Sequence, residues 1–112
     1  RLNKLLEKAI AIEKESEKML FFQYSGDLSI SSDLANELSY RFPNKVIVVV
    51  YAVGAKANIS VRGNKIRGAV LESLEKIEGS KGGGHENAVG GQISINDIEK
   101  FRENLEKILN SP

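Results

Sequence analysis

The amino-acid sequence predicts a single α/β domain in which a mixed β-sheet is covered by helices, with a further helix at the N-terminal end. Three observations carry this. Val46 to Val53 is continuously apolar and β-branched, the pattern of a central strand buried on both faces. Ala57 to Arg62 alternates strictly, with Ala57, Ile59 and Val61 on one face and Asn58, Ser60 and Arg62 on the other. Between the strand-like runs lie segments whose apolar residues recur at helical spacing. Alternation of this kind belongs to layered α/β architecture.

Taken in order, residues 2 to 18 place Leu2, Leu5, Leu6, Ala9 and Ile10 on one helical face, and the stripe fades into the polar stretch Glu13 to Lys18. Such a helix suits either an interdomain or dimer contact, or packing on its own domain. Met19 to Tyr24 is short and aromatic-rich, as a strand ended by Ser25-Gly26-Asp27 would be. Ser32 or Asp33 is placed to cap a helix reaching about Arg41, with Leu34, Ala35, Leu38 and Phe42 inward, and Pro43-Asn44 ends it. The turn Gly54-Ala55-Lys56 is so short that the strands on either side form an antiparallel hairpin. Ile66 to Glu78 predicts a helix with Ala69, Val70, Leu74 and Ile77 inward and Gly79 at its C-terminus. A glycine-histidine loop follows, then a short strand over Gln92 to Ile95. Asn96 and Glu99 form a near capping box for a last helix that buries Ile98, Phe101, Leu105 and Ile108.

With 112 residues, 41% hydrophobic and 28% charged, the chain is one domain's worth of folding sequence and not a disordered one. A formal net charge of +1 means that any phosphate binding must come from local arrangement. No apolar run is long enough to span a bilayer as a helix, so no membrane partner is expected. Cysteine is absent, which removes disulfides and thiolate metal sites and favours a cytoplasmic location. The chain opens on Arg1, not methionine, and is read as a segment of a longer protein.

Lys81 to Gly91 (K-G-G-G-H-E-N-A-V-G-G) is the most distinctive run. Gly82, Gly83 and Gly84 lose more backbone entropy on folding than any other residues would and bring no side chain to pack. Two readings stand. The run is a flexible connector, or it is an anion nest whose unobstructed N–H groups, beside Lys81 and His85, grip a phosphate. Glu86-Asn87-Ala88 would then start a helical turn that aims further N–H groups at the anion. Arg62 has the guanidinium suited to bidentate oxyanion binding, with Asn58 and Ser60 aligned behind it, although a solvated sheet face or a structural ion pair gives the same pattern. Lys56, Lys65 and Arg67 enlarge the basic rim. No metal-ligand cluster, Walker-type lysine motif, dinucleotide fingerprint or nucleophile elbow is present, so this segment alone is not expected to be catalytic.

The motif G-G-G-H-E-N-A-V-G-G at positions 82 to 91 resembles the signature of the DHH-associated domain of RecJ-like phosphoesterases: three or four glycines, histidine, two variable residues, a small residue and glycine. The upstream Ser60-Val61-Arg62 resembles the preceding strand of that family, and the likeness covers about residues 19 to 109. Lys81 stands where a fourth glycine is frequent, and Val89 departs from the family's small residue. The resemblance implies an exonuclease-like enzyme that hydrolyses phosphodiester bonds of single-stranded or short oligonucleotides, or of small nucleotides. Its catalytic domain, absent here, would hold manganese. Residues 1 to 18 would be the linker helix from that domain, and 19 to 112 the substrate-binding domain. Gly82, Gly83, Gly84 and His85 would contact substrate phosphate and Arg62 would support them, with Asn58, Ser60, Asn87 and Lys81 around them; no metal would bind within the segment. The same domain type ends alanyl-tRNA synthetases, where the glycines lead to Ala-Gln-Gly without the histidine. The alternative implied is a non-catalytic tRNA-binding or homodimerisation module.

Overall fold

A computed structural model describes residues 2–111; Arg1 and Pro112, the outer ends of the two expected segments, lie outside the described residues. The chain runs α1 (Leu2–Ala11), a 3-10 turn (Glu13–Glu15), β1 (Met19–Ser25), α2 (Ser31–Arg41), β2 (Val46–Val53), β3 (Lys56–Arg62), α3 (Arg67–Glu75), β4 (Lys81–His85), β5 (Ala88–Ser94), a 3-10 turn (Ile95–Asp97) and α4 (Ile98–Leu109). The five strands form one sheet in the order β1-β2-β3-β5-β4. β1 and β2 are parallel, joined by α2 as a crossover, and every other pair is antiparallel. The mixed sheet covered by helices is therefore the fold the sequence predicts.

The sheet divides the apolar residues into two cores. On one face α3 and α4 bury Val48, Val50, Ile59, Val61, Val70, Leu74, Phe101 and Leu105. On the other α1 and α2 bury Leu6, Ala9, Leu20, Phe22, Leu34, Leu38, Ile47 and Val49. β2 supplies both, which is why its sequence shows no alternation. α1 packs on this second core, with Leu2, Leu5 and Ile10 partly buried against it, so its apolar stripe serves its own domain. Its run onward is fixed by Lys45, whose ammonium pairs with Glu13 at 2.9 Å and donates to the carbonyls of Glu13 and Ser16.

Several element ends differ from expectation. Neither Ser32 nor Asp33 caps α2; the cap position is Ile30, without a side-chain bond, because the Ser31 and Ser32 hydroxyls are engaged with β3. The capping box at Asn96 does not form either. Ser94 instead accepts the Asn96 N–H at 3.2 Å and starts a 3-10 turn ahead of α4. α3 stops at Glu75, and Gly79, at φ +77°, lies in the connection beyond it. The last strand begins at Ala88, four residues before the predicted Gln92, because Val89 and Ile93 both face the α3–α4 core and hold the whole segment to β3.

The β1–α2 connection, which sets where α2 begins, is held by Tyr24. Its buried hydroxyl donates to the Leu28 carbonyl at 3.1 Å and accepts the Ile30 N–H at 2.9 Å. Burial raises its pKa, the Ile30 hydrogen bond lowers it less, and nearby Tyr51 raises it further. The folded protein thus holds the neutral phenol. Because the folded pKa is raised, that contribution is complete below the unfolded value of about 10 and is lost as pH rises through the folded one. Tyr24→Phe is expected to cost about 1–3 kcal/mol in urea unfolding at neutral pH, through the orphaned Ile30 N–H. The gap between wild type and variant should narrow above pH 10.

Candidate functional site

The glycine run is not a loop. Lys81–His85 is the edge strand of the sheet, extended and exposed along its length, and it pairs with β5 through a two-residue turn, Glu86-Asn87. The expected nest does not form, because alternate N–H groups of an extended strand point in opposite directions instead of converging. The expected helical turn at Glu86-Asn87-Ala88 is this hairpin tip. It is tied to the β3–α3 connection: the carbonyls of Asn87 and Glu86 accept from the Gly63 and Arg67 N–H groups at 3.1 and 3.2 Å. The Asn87 Oδ1 accepts the Lys65 N–H at 2.8 Å, so Asn87 has a structural task at the tip. Arg67 Nε donates to the Gly84 carbonyl at 3.1 Å and holds the strand's free edge.

Register then decides which predicted residues meet. Arg62 pairs with Ala88, and Ala88 with His85; Ser60 pairs with Gly90, and Gly90 with Gly83; Asn58 pairs with Gln92, and Gln92 with Lys81. These three rows share one face of the sheet, the side on which α2 lies. α2 reaches across β3 but leaves Gly83 and Gly90 uncovered, so the β5–β4 end of this face is open. Arg62, Ser60, Asn58, Gly83, His85 and Lys81 are thus brought onto one surface, while Gly82 and Gly84 alternate to the opposite side. Arg62 and His85 stand at the two ends of a row, roughly 10 Å apart across two strand spacings. They flank a common space without touching.

The glycines of the two faces differ in what the fold asks of them. A Cβ on Gly91 would lie 2.7 Å from the Lys81 carbonyl, so the hairpin requires it to be bare, while one on Gly82 would lie 2.6 Å from Leu74 Cδ1 and force that side chain to shift. Gly84 is at φ +152°, and its Cβ would meet the Ala88 carbonyl and lie 2.9 Å from Val89 Cα. On the open face the case is reversed. A Cβ on Gly83 would meet nothing within 4 Å, and one on Gly90 only the Ile59 carbonyl at 3.8 Å. Glycine in a strand weakens it and often marks close approach of a ligand or another backbone. Packing accounts for Gly82, Gly84 and Gly91; it does not account for Gly83 and Gly90.

Arg62 is half-buried and held by neutral partners. Nε donates to Asn36 Oδ1 at 2.7 Å, Nη2 to Ser32 Oγ at 3.0 Å and Nη1 to the Val61 carbonyl at 2.9 Å. Burial lowers its pKa, though a guanidinium remains charged at neutral pH. None of the described ion pairs includes it. Among the described residues, the structural ion pair considered for Arg62 is therefore replaced by a fixed cation with no paired carboxylate. Asn36 and Ser32, its tethers, were not legible as site residues; they sit four apart on α2 in an ordinary exposed helix pattern.

Among the described residues no group of three or more histidine, cysteine, aspartate or glutamate side chains could hold a metal ion, and no helix is long and apolar enough to cross a membrane. A groove of about 770 Å³ between α3 and α4, lined in part by Leu71, Glu72, Glu75 and Lys107, lies on the other side of the sheet. It brings together none of the residues above.

The chain is thus an α/β domain whose mixed sheet presents an open, glycine-floored face between Arg62 and His85. The chain belongs to the DHHA1 domain family, whose model matches residues 4–111. Among solved structures it resembles the C-Ala domain of Aquifex aeolicus alanyl-tRNA synthetase (TM-score 0.70, 18% identity, 83% of this chain and 91% of that one). It also resembles RecJ of Thermus thermophilus, solved with Mg2+ (TM-score 0.76, 16% identity, 99% of this chain and 18% of that one). CDC45 of Entamoeba histolytica shares the fold as well (TM-score 0.62, 13% identity, 98% and 28%). The chain thus spans most of the C-Ala domain but under a fifth of the Thermus thermophilus RecJ. No curated protein matches it in sequence.

The two kinds of glycine give a direct test. Gly84→Ala is expected to destabilise the domain by about 1–3 kcal/mol, from positive φ and backbone collision. Gly83→Ala should leave stability unchanged or raise it by up to about 1 kcal/mol. Urea midpoints of the two variants measure the difference.

Proposed function

We propose that this domain binds the phosphates of single-stranded nucleic acid, as the substrate-holding part of a DHH-type phosphoesterase whose catalytic domain lies elsewhere in its parent protein. The observation that carries the reading is Arg62: a half-buried guanidinium, oriented by Asn36 and Ser32, with no carboxylate paired to it among the described residues. A phosphate over Ala88 would lie between Arg62 on one side and His85 on the other, beside the neighbouring row left bare by Gly83 and Gly90. Lys81 adds charge at the same open edge. In this role the domain orients the substrate backbone, and hydrolysis needs the metals of the other domain. Manganese is the ion that the family resemblance implies there.

A second reading follows from the likeness to a C-Ala domain over nearly its whole length: a non-catalytic tRNA-binding or dimer-forming module. Against it, the chain carries His85 after its glycines and Ala88-Val89-Gly90 in place of Ala-Gln-Gly. Preference for tRNA over short single strands of DNA would favour this second reading.

The test is binding of a fluorescently labelled oligonucleotide across a salt series. Arg62→Ala should weaken binding roughly tenfold or more, and reduce the slope of log K against log salt by about 0.7 for one lost phosphate contact. Arg62→Lys should recover part of this, since an ammonium keeps the charge but not the fork. His85→Ala should weaken binding less. No hydrolysis is expected from the purified chain. Unchanged affinity in both alanine variants would remove the assignment.

A further inference from the structure

We propose that Asn58 and Gln92 form a nucleobase subsite on the same face, one nucleotide's length from the phosphate end. This rests on the phosphate reading above. The two side chains are register partners on β3 and β5, both half-buried, and Gln92 Nε2 donates to Asn58 Oδ1 at 3.0 Å. That bond fixes both amide planes and determines what they offer outward: the Nδ2 donors of Asn58 and the Oε1 acceptor of Gln92. Every base edge presents donors and acceptors within reach of one another, and paired amides are well suited to them.

Position supports the assignment. Asn58 precedes Arg62 by four residues on the same strand, so the amide pair lies roughly 13 Å from the guanidinium's row. The row between them is Ser60, Gly90 and Gly83. Ser60 is turned into α2, where its hydroxyl donates to Ser31 Oγ at 3.3 Å. The other two are the glycines that packing does not require. Along β3 and β5 the face is therefore graded from cation through bare backbone to a preset donor–acceptor pair, with Lys81 beside that pair on β4. A phosphate, a sugar and a base edge follow one another in that order along a nucleotide. A solvated sheet face would need neither the empty middle row nor the mutual amide bond, whose formation costs side-chain entropy.

The experiment compares a short single-stranded oligonucleotide with an abasic strand of the same length, so that phosphates and sugars are held constant. Gln92→Met, which keeps the stem and removes the amide, should weaken binding of the base-bearing strand roughly tenfold and leave the abasic strand unchanged. Unchanged abasic binding also reports that the variant is folded. Equal weakening of both strands, or weakening of neither, overturns the subsite. Arg62→Ala should weaken both strands alike; if it weakens neither, the phosphate reading itself has failed, whatever Gln92 does.

Discussion

The in-register pairing of β3 between β2 and β5 is the constraint on which the rest depends. β2 is buried on both faces, so its partner is locked in register by side chains packed above and below. Because side chains alternate with period two, a slip of one residue would carry Arg62, Ser60 and Asn58 into the α3–α4 core and throw Val61, Ile59 and Ala57 out toward α2. Burying three polar residues, one of them charged, is a heavy penalty, and it protects the site's geometry as surely as the core's. The same register passes through β5 to β4, so that His85 finds itself opposite Arg62 with no direct contact between them.

Much of this was legible in the sequence, for identifiable reasons. The two-sided burial of Val46 to Val53 and the alternation of Ala57 to Arg62 are periodic signals, and period survives translation into structure. The polar face of β3 could be read residue by residue. The glycine run could not. A strand without side chains has no period, so its pairing with β5 left no trace, and glycine's permissiveness suggested a loop. The expected Ser32 cap failed for a different reason. Ser32 has the right chemistry for an N-cap, but a tertiary partner, Arg62, took its hydroxyl. Local propensity lost to long-range hydrogen bonding.

Arg62 shows how the helix layer and the sheet layer share one task. A free arginine on an exposed sheet would sample many rotamers and be screened by solvent. Here Asn36 and Ser32 remove that freedom using neutral oxygens, so orientation is obtained without cancelling charge. α2 in turn owes its starting point to Tyr24, two strands away, through the Ile30 N–H. The cation's aim is thus set by contacts spread over β1, α2 and β3, none of which would suggest a site in isolation.

The glycine edge has a consequence for how the domain behaves among copies of itself. An exposed edge strand presents unpaired N–H and C=O groups and is a template for aggregation. β4 is an edge of that kind, yet three glycines flanked by a lysine and a histidine make a poor template. An incoming strand would find little apolar surface to bury against on its open face, a flexible backbone to immobilise, and Lys81 projecting at the margin. Charged edge residues are a common device against such pairing. The bareness that leaves this surface accessible to a ligand also leaves it unattractive to another β-strand, so solubility and access are served by the same five residues.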